Sequence, residues 1–382
     1  MSILYIDNTE KLTRLVSDLA DADWLAIDTE FMREKTYYPQ LCLLQIGTPE
    51  ITACIDPLVL PDMDILLDLI YDHKKIKVMH SGSQDLEIFY HLRGSLPQPI
   101  FDTQIAAPLL GSQEQAGYAR LVEEILGVRL AKVHTRADWS HRPLTGAQIQ
   151  YAADDVIYLC QLYEVLRDRL AEKNRLSWLE SDFTALTDPG KYSNSPEKAW
   201  RRVKGAQKLH GKALSVAQHL AQWREQIAQQ QNKPRGWIIK DDVLVDLARQ
   251  QPVNMNILKR IRGLNESVSK RYGQVILELI QTAAKLLPEP LPEYTKRKKL
   301  KPDQEALVDL MCSLVQLRAS ENEMNATQLA SRKDLQYLIQ GETNLDLLKG
   351  WRVKMVGLEL QQLLNGQLML VVEQGKLVCI KR

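Results

Sequence analysis

Hydrophobic residues in the first half of the chain occur in short runs separated by turn residues, a pattern typical of strands. These runs cover residues 4–6, 24–31, 41–47, 51–57, 76–80 and 99–101. Between and after them the apolar spacing is helical, over residues 8–20, 62–71, 83–91, 103–110, 118–126 and 145–173. Three consecutive strands followed by alternating helices and strands predict an α/β fold, with a mixed sheet, flanking helices and an antiparallel meander at its start.

The second half of the chain has helical spacing almost throughout. Apolar positions predict all-α units, with helices over residues 213–231, 241–249, 254–260 and 267–286 and a second unit over 303–364. The second unit is a degenerate repeat of the first and ends in apolar runs at 368–372 and 377–380, which predict a β-hairpin. The predicted organisation is a domain at 1–187, a linker at 188–207, a helical domain at 208–288, a basic linker at 289–302 and a second helical domain at 303–382.

The composition is that of a soluble globular protein with ample apolar material for a core. Apolar residues make up 45% and charged residues 25% of the 382 residues, and a chain of this length is expected to form two or three domains. No run of about 18 apolar residues and no secretory signal pattern is present, so we expect neither a membrane span nor export. Widely spaced cysteines predict buried free thiols in a reducing cytoplasm; they are Cys42, Cys54, Cys160, Cys312 and Cys379.

The two halves of the chain differ in charge. Residues 1–180 contain 17 Lys and Arg against 27 Asp and Glu, whereas residues 181–382 contain 32 against 21. An acidic first half suggests a part that binds cations, and a basic second half suggests a part that binds a polyanion. A basic surplus can also be solvated surface without a partner.

Asp28 and Glu30 lie two residues apart in the apolar run that begins at Trp24. In a strand, residues at this spacing point to the same side of the sheet, so the two carboxylates would be neighbours. Like charges at close range repel and favour protonation unless a cation lies between them. Carboxylate oxygens suit hard divalent ions, although an acidic pair at the end of a strand is also typical of a solvated turn.

Two later segments offer further acids. Asp85 lies in the first turn of a helix that we expect Ser83 to cap, where it either reaches the same site or complements the helix dipole. Tyr151 and Asp155 are four residues apart on a predicted helix and share one face. Asp154 is rotated by about 100° from Asp155 and would point elsewhere.

Asp102 and His80 are weaker candidates for metal binding. Asp102 is a rival ligand, but its position just before a predicted helix is typical of a cap. His80 ends a predicted strand and is expected to contact other residues of the site rather than a metal.

The order and spacing of these residues resemble the three exonuclease motifs of the DEDD superfamily, in its tyrosine-containing branch. The motifs here are Asp28-Thr29-Glu30, His80 to Asp85, and Tyr151 to Asp155. Asp138-Trp139-Ser140, followed by Arg142-Pro143-Leu144-Thr145, resembles the ribonuclease D family in particular. The helical region resembles the HRDC domain that RecQ-type helicases and ribonuclease D share. The resemblance extends over essentially the whole chain and implies a ribonuclease-H-like fold followed by two HRDC-type domains.

The resemblance also implies a function. Asp28, Glu30, Asp85 and Asp155 would hold two divalent ions, Mg²⁺ or Mn²⁺, that promote phosphodiester hydrolysis. Tyr151 would orient the attacking water, because a phenol with its usual pKa near 10 is a poor base at neutral pH. The protein would be a 3′→5′ exoribonuclease that trims tRNA precursors and other small structured RNAs, releases nucleoside 5′-monophosphates and acts as a cytoplasmic monomer.

Several residues are candidate RNA contacts. Phe31 and Met32 could wedge against the terminal base, or pack in the core. Trp200 and its two arginines could stack and bind phosphate, although a tryptophan that docks the linker onto a neighbouring domain is slightly favoured. The full set comprises Phe31, Met32, His80, Arg142, Trp200, Arg201 and Arg202. The basic run at 296–301 could touch phosphates or remain a solvated tether.

Two other functions remain open at this point. A non-catalytic adaptor for RNA or DNA would keep the fold without turnover, but the complete set of carboxylates together with Tyr151 argues against it. A DNA proofreading or repair exonuclease would use the same chemistry, because no residue of the site obviously reads a 2′-hydroxyl.

Overall fold

A computed structural model describes residues 2–130, 137–290 and 299–382 of the chain. The first domain is α/β, as predicted. Its strands are β1 (Ile3–Ile6), β2 (Trp24–Met32), β3 (Gln40–Gly47), β4 (Thr52–Ile55), β5 (Ile76–Met79) and β6 (Ile100–Asp102). Its α-helices are α1 (Thr9–Asp18), α2 (Asp64–Ile70), α3 (Ser83–Arg93), α4 (Thr103–Ala106), α5 (Tyr118–Leu126), α6 (Gly146–Glu172) and α7 (Glu180–Leu186), with 3₁₀-helices at Ala107–Leu110 and Leu176–Leu179.

The six strands form one mixed sheet in the order β1-β4-β3-β2-β5-β6. Strands β2, β3 and β4 form the predicted antiparallel meander, whereas β5 is parallel to β2 and to β6, and β1 is parallel to β4. Leu25 and Ile27 of β2 pack against α1, α2 and α3 on one face of the sheet. Ala26 packs on the other face, which α6 covers. The central strand is therefore covered on both sides.

The second half of the chain forms two helical units and a hairpin. The first helical domain contains α8 (Gly211–Gln230), α9 (Arg235–Ile238), α10 (Asp241–Gln250), α11 (Met255–Leu258) and α12 (Glu266–Ala283). The second contains α13 (Pro302–Glu321), α14 (Ala326–Leu329), α15 (Arg332–Ile339), α16 (Gly350–Arg352) and α17 (Leu358–Leu364). Antiparallel strands β7 (Leu368–Glu373) and β8 (Lys376–Lys381) follow and confirm the predicted hairpin.

The connection at 188–207 is an ordered part of the first helical domain. It contains short 3₁₀-helices at Pro189–Lys191, Pro196–Arg202 and Ala206–Lys208. Trp200, Val203 and Ala206 are buried in the same hydrophobic core as residues of α8 and α10. Of the predicted basic linker, residues 291–298 lie outside the described residues, and Lys299 to Lys301 lead directly into α13.

The structure differs from two detailed expectations. Gly82, not Ser83, is the cap residue of α3, and no side chain bonds to that helix end, so the Ser83 prediction was wrong. All five cysteines are free, but only Cys42, Cys54 and Cys160 are buried, whereas Cys312 on α13 and Cys379 on β8 are partly exposed. No helix within the described ranges combines the length and apolar composition that crossing a bilayer requires.

Candidate active site

Asp28 and Glu30 lie on the α6-facing side of β2. They alternate with Ile27 and Thr29, and their β3 partners are Gln45 and Leu43 respectively. The strand continues past them to Met32, with a bulge in the β2–β3 pairing between Glu30 and Phe31. The period-two pattern of the strand therefore directs both carboxylates to one side, as predicted.

Helix α6 brings Tyr151 and Asp155 to the same place. Thr145 caps its N-terminus and accepts a hydrogen bond from the backbone N–H of Gln148. The helix can approach the sheet closely because residue 47 is glycine: a Cβ atom there would lie 3.0 Å from Cys160 Sγ and 3.1 Å from Val156 Cβ. The close packing places one turn of the helix directly over the acidic end of β2.

Three carboxylates converge in this space. One oxygen each of Asp28, Glu30 and Asp155 lies within 4.8 Å of the others. They line a cavity of about 490 Å³. The other lining residues are Thr29, His80, Tyr118, Ala119, Leu130, Tyr151, Asp154 and Leu159. The described part of the chain thus contains an acidic pocket in which three oxygens could bind one cation.

The charged forms of these acids are unfavourable in the isolated chain. Burial, and then the charges of Asp155 and Asp85, raise the pKa of Glu30 to about 8. Burial, and then the charge of Asp154, raise the pKa of Asp155 to about 7. The pKa of Asp28 is also raised well above its usual range, first by burial and then by the surrounding acids. Such a set of oxygen ligands fits a divalent cation, which would offset the repulsion.

Asp85 is adjacent to this group but outside the three-oxygen cluster. It is buried in the first turn of α3, where its carboxylate accepts a hydrogen bond from the Thr29 hydroxyl. Burial raises its pKa to about 6, and its charge in turn raises the pKa values of Asp28 and Glu30. Asp85, the predicted fourth acid, therefore lies near enough to Asp28 and Glu30 for its charge to raise their pKa values.

Asp102 has the structural role expected of a cap. It accepts a hydrogen bond from the Gln104 backbone N–H at 2.8 Å, at the start of α4. It also accepts from the backbone N–H groups of Ser81 and Gly82, at 3.0 and 2.9 Å. Asp102 thus fixes the turn that leads into α3, and it positions Asp85 indirectly.

Tyr151 faces the carboxylates and packs against Trp139, with ring centroids 6.1 Å apart. Trp139 is buried. Burial and the charges of Asp155, Glu30 and Asp28 raise the pKa of the Tyr151 phenol above its usual range. The phenol is therefore protonated at neutral pH and can serve as a hydrogen-bond donor.

Tyr118 is a lining residue that the sequence did not reveal. Its hydroxyl donates to the backbone carbonyl of Asp155, and its ring meets the His80 ring edge-on at a centroid distance of 5.3 Å. His80 Nδ1 is 2.9 Å from Thr103 Oγ1, and burial lowers its pKa. A tyrosine at the start of α5, remote in sequence from the three motifs, gives no local signal of this role.

The predicted wedge residues occupy the end of β2. Phe31 and Met32 are both half-buried. Phe31 packs against the core on the α1–α3 face, and Met32 packs with the cluster that contains Trp139 and Tyr151. Their partial exposure leaves an RNA contact as a prediction.

Arg142 has no donor left for a phosphate. Its Nε and Nη2 donate to Asp56 at 2.5 and 2.7 Å. Nη2 also donates to the Cys42 carbonyl, and Nη1 donates to the carbonyls of Trp139 and His141, at distances of 2.6 to 2.8 Å. All five N–H groups of the guanidinium are therefore used inside the chain. The predicted substrate contact is corrected: Arg142 anchors the segment that contains Trp139.

Trp200 is also not available to RNA. Its side chain is 1% exposed in the core of the first helical domain, and its indole N–H donates to Glu289. Arg201 pairs with Glu289, and Arg202 pairs with Glu225 at 3.0 Å. These contacts hold the connection against the helical domain, so stacking of Trp200 on a base was a wrong prediction.

Comparison with known proteins agrees with the two parts of this architecture. A family model described as 3′-5′ exonuclease matches residues 3–171, and a model described as HRDC domain matches residues 213–280. The first contains all the acids of the pocket together with Tyr151. The second falls within the first helical domain.

Relatives extend the match to the whole chain. The chain is 42% identical to ribonuclease D of Zymomonas mobilis over 97% of this chain and 96% of that protein. The crystal structure of Escherichia coli RNase D, described as an exoribonuclease involved in structured RNA processing, has 32% identity and a TM-score of 0.80, and covers 96% of this chain and 99% of that one. The catalytic core of RRP6 from Trypanosoma brucei shares the fold at 21% identity, with a TM-score of 0.58 over 74% of this chain and 80% of that one. The chain therefore belongs to the ribonuclease D family of 3′→5′ exoribonucleases.

Proposed function

We propose that this chain removes nucleotides from the 3′ ends of RNA by metal-dependent hydrolysis, with Asp28, Glu30, Asp85 and Asp155 as ligands of two divalent ions. The observation that carries the proposal is the convergence of three carboxylate oxygens within 4.8 Å inside a pocket. Mg²⁺ and Mn²⁺ prefer such hard oxygen ligands. When bound, the ions would stabilise negative charge on the phosphate and lower the pKa of the attacking water.

The chain's own residues have distinct roles in this proposal. Asp28 and Glu30, on a central strand, provide a rigid acidic surface, and Asp155 closes it from α6. Tyr151 remains protonated and donates a hydrogen bond that orients the attacking water. Phe31 and Met32, which follow Glu30 directly and are half-buried, would contact the terminal nucleotide. The products would be nucleoside 5′-monophosphates.

We propose tRNA precursors and other small structured RNAs as substrates, on the basis of the family and of the Escherichia coli relative's link to structured RNA. The basic helical part supports this choice, because residues 181–382 contain 32 basic against 21 acidic residues. Such a surface binds phosphates without sequence preference and in a salt-sensitive manner.

One chain supplies every acid of the pocket, which supports a monomer, and the free thiols support a reducing compartment such as the cytoplasm.

Nucleotide release from labelled RNA tests the proposal. The purified full chain is incubated with an oligoribonucleotide labelled at its 3′ end, in Mg²⁺ or Mn²⁺, and we expect labelled mononucleotide. Asp28→Asn should lower the rate about 100- to 1,000-fold while RNA binding persists. Asp168→Asn is the control, because it makes the same chemical change at an exposed acid of α6 that is paired with Arg167; its rate should stay within about twofold.

The same assay separates the alternatives. Absence of mononucleotide with every divalent ion would indicate a binding protein without turnover. Cleavage of a matched DNA oligonucleotide at an equal or higher rate would indicate a DNA exonuclease and would overturn the substrate assignment.

A further inference from the structure

Residues 33–39, which connect β2 to β3, contact two other parts of the molecule. They start directly after Phe31 and Met32, within three residues of Glu30. Arg33 forms a two-pronged ion pair with Glu87 of α3 at 2.6 and 2.8 Å. The Tyr38 ring meets His91 of the same helix, with ring centroids 4.6 Å apart. The connection is therefore attached to the helix whose first turn carries Asp85.

The other attachment of this connection is to the first helical domain. Tyr37 is 7% exposed and belongs to the hydrophobic core of that domain, not to the core of the sheet. Its hydroxyl donates to Glu225 of α8. Glu225 is fully buried, and it also pairs with Arg202 at 3.0 Å and Arg235 at 3.7 Å. A side chain of the catalytic domain thus joins a buried polar network of the helical domain.

Asn232 adds a second contact at the end of α8. Its Oδ1 accepts hydrogen bonds from the backbone N–H groups of both Tyr37 and Tyr38, each at 3.0 Å. Asn232 itself has a left-handed backbone, with φ +49°, a conformation that Asn adopts more readily than most residues. One side-chain oxygen therefore fixes two consecutive peptide groups of the connection.

We infer that the first helical domain positions the end of β2 for cleavage, with Tyr37, Glu225 and Asn232 as positioning residues. The inference rests on the proposed function and assigns the domain a role at the site beyond holding RNA. Without these contacts, a connection of seven residues would be ordered mainly by its ends and by the contacts of Arg33 and Tyr38 with α3. Displacement of reacting groups by about 1 Å can lower a rate by up to 100-fold. The domain should therefore act on the cleavage rate of bound RNA.

Asn232→Gly is the most direct test. Glycine adopts the left-handed backbone without strain, and residue 232 is exposed, so the variant should fold while both hydrogen bonds are lost. We expect the single-turnover rate of nucleotide release at saturating enzyme to fall about 10-fold. The Kd for the same RNA, titrated in EDTA, should change less than twofold. Asn232→Asp keeps the acceptor oxygen and should restore most of the rate.

Asn174→Gly is the matched control. Asn174 is an exposed asparagine that follows α6, and its backbone is left-handed with φ +54°. The substitution is chemically identical, so any general effect of a new glycine appears in both variants. For Asn174→Gly, the rate of nucleotide release and the Kd for RNA should match those of the parent chain. Tyr37→Phe, which removes only the hydroxyl that donates to Glu225, should lower the rate in the same direction as Asn232→Gly.

The outcomes distinguish this inference from the proposed function. If Asn232→Gly matches Asn174→Gly in rate while the parent chain releases nucleotides, the positioning role is wrong and the nuclease assignment stands. If the Kd weakens and the rate does not change, the domain acts through RNA binding alone and the inference is overturned. If the parent chain releases no nucleotide, the proposed function fails and this inference fails with it.

Discussion

The clustered acids of the pocket suit a cation, and without one their mutual repulsion and burial lower the stability of the folded chain. In the unfolded chain Glu and Asp side chains have pKa values of about 4, whereas the folded chain raises Glu30 to about 8 and Asp155 to about 7. Burial is the first cause at both positions, followed by neighbouring negative charges. The folded state therefore binds more protons than the unfolded state between about pH 4 and pH 8.

The sign of this difference predicts how the metal-free protein responds to pH. Because the folded-state pKa values are raised, the acids favour folding below about pH 4, and that contribution is lost as the pH rises to about 8. The melting temperature in EDTA should fall between pH 5.5 and pH 8, by several degrees. Asp28→Asn should reduce this fall, because it removes one charge from the cluster. Thermal unfolding followed by circular dichroism measures both.

Added Mg²⁺ serves as the control for that experiment. A cation that binds the folded state raises its stability by mass action, most strongly at pH 8 where the acids are charged. A melting temperature that rises with pH in EDTA, or that does not respond to Mg²⁺, would contradict a cation site here.

At the level of single residues, sequence patterns identified those site residues that local spacing along one strand or one helix brings together. Asp28 and Glu30 share a strand face, and Tyr151 and Asp155 share a helix face, so their relation follows from secondary structure alone. The roles of Tyr118, Arg142 and Trp200 depend instead on tertiary contacts, which local spacing does not predict. The five donors of Arg142 are used by residues as far apart as Cys42 and His141, a distribution that no local pattern reveals.

Among the elements, the distance between α6 and the sheet decides whether the pocket closes. Asp155 reaches the β2 carboxylates because α6 crosses β3 at Gly47, where Cys160 and Val156 fill the space that a side chain would occupy. The long apolar spacing of residues 145–173 predicted the helix itself. Its closeness to the sheet required glycine at one position on another strand, and the sequence contains no signal that couples the two.

Gly47→Ala should push α6 away from the sheet. The new Cβ would lie 3.0 Å from Cys160 Sγ and 3.2 Å from the Val156 carbonyl oxygen, and such overpacking costs about 1–3 kcal/mol. We expect a lower free energy of unfolding in urea and a cleavage rate reduced about 10-fold or more. Gly146→Ala is the control at the first residue of α6, where a Cβ meets nothing within 4 Å. Equal behaviour of the two variants would show that the closeness of α6 is not required.

The order of elements along the chain was predictable because apolar periodicity reports which face is buried. The connection at 188–207 was not, because its composition is that of a loop while Trp200, Val203 and Ala206 are buried by partners on α8 and α10. The cap of α3 was assigned to Ser83 on residue preference, whereas the turn before that helix is held by Asp102 from another strand. Short-range rules fail where long-range contacts supply the hydrogen bonds.

Across the whole molecule, the catalytic domain and the second helical domain share one hydrophobic core. Residues of α6 and of α13 belong to the same buried cluster. Trp178 and Trp351 stack with ring centroids 4.3 Å apart, almost parallel at 8°. Lys173, just beyond α6, pairs with Glu323 at 2.6 Å. The second domain is therefore packed against the catalytic domain rather than tethered to it.

Arg175 is the polar centre of this interface, and its removal tests whether the two domains stabilise each other. It is 6% exposed, and it donates to the backbone carbonyls of Leu109 and Asn322 at 2.6 Å each. Arg175→Met keeps the hydrocarbon stem but leaves the buried Leu109 carbonyl and the partly buried Asn322 carbonyl without this donor. The free energy of unfolding in urea should fall by about 2–3 kcal/mol, the cost of unsatisfied buried polar groups. Arg167→Met, at an arginine of α6 paired with Asp168, should change it by less than about 0.5 kcal/mol. If the two domains share a core, loss of the contact at its centre must lower the stability of both. Similar losses of unfolding free energy in the two variants would therefore mean that the second domain packs on the first without stabilising it.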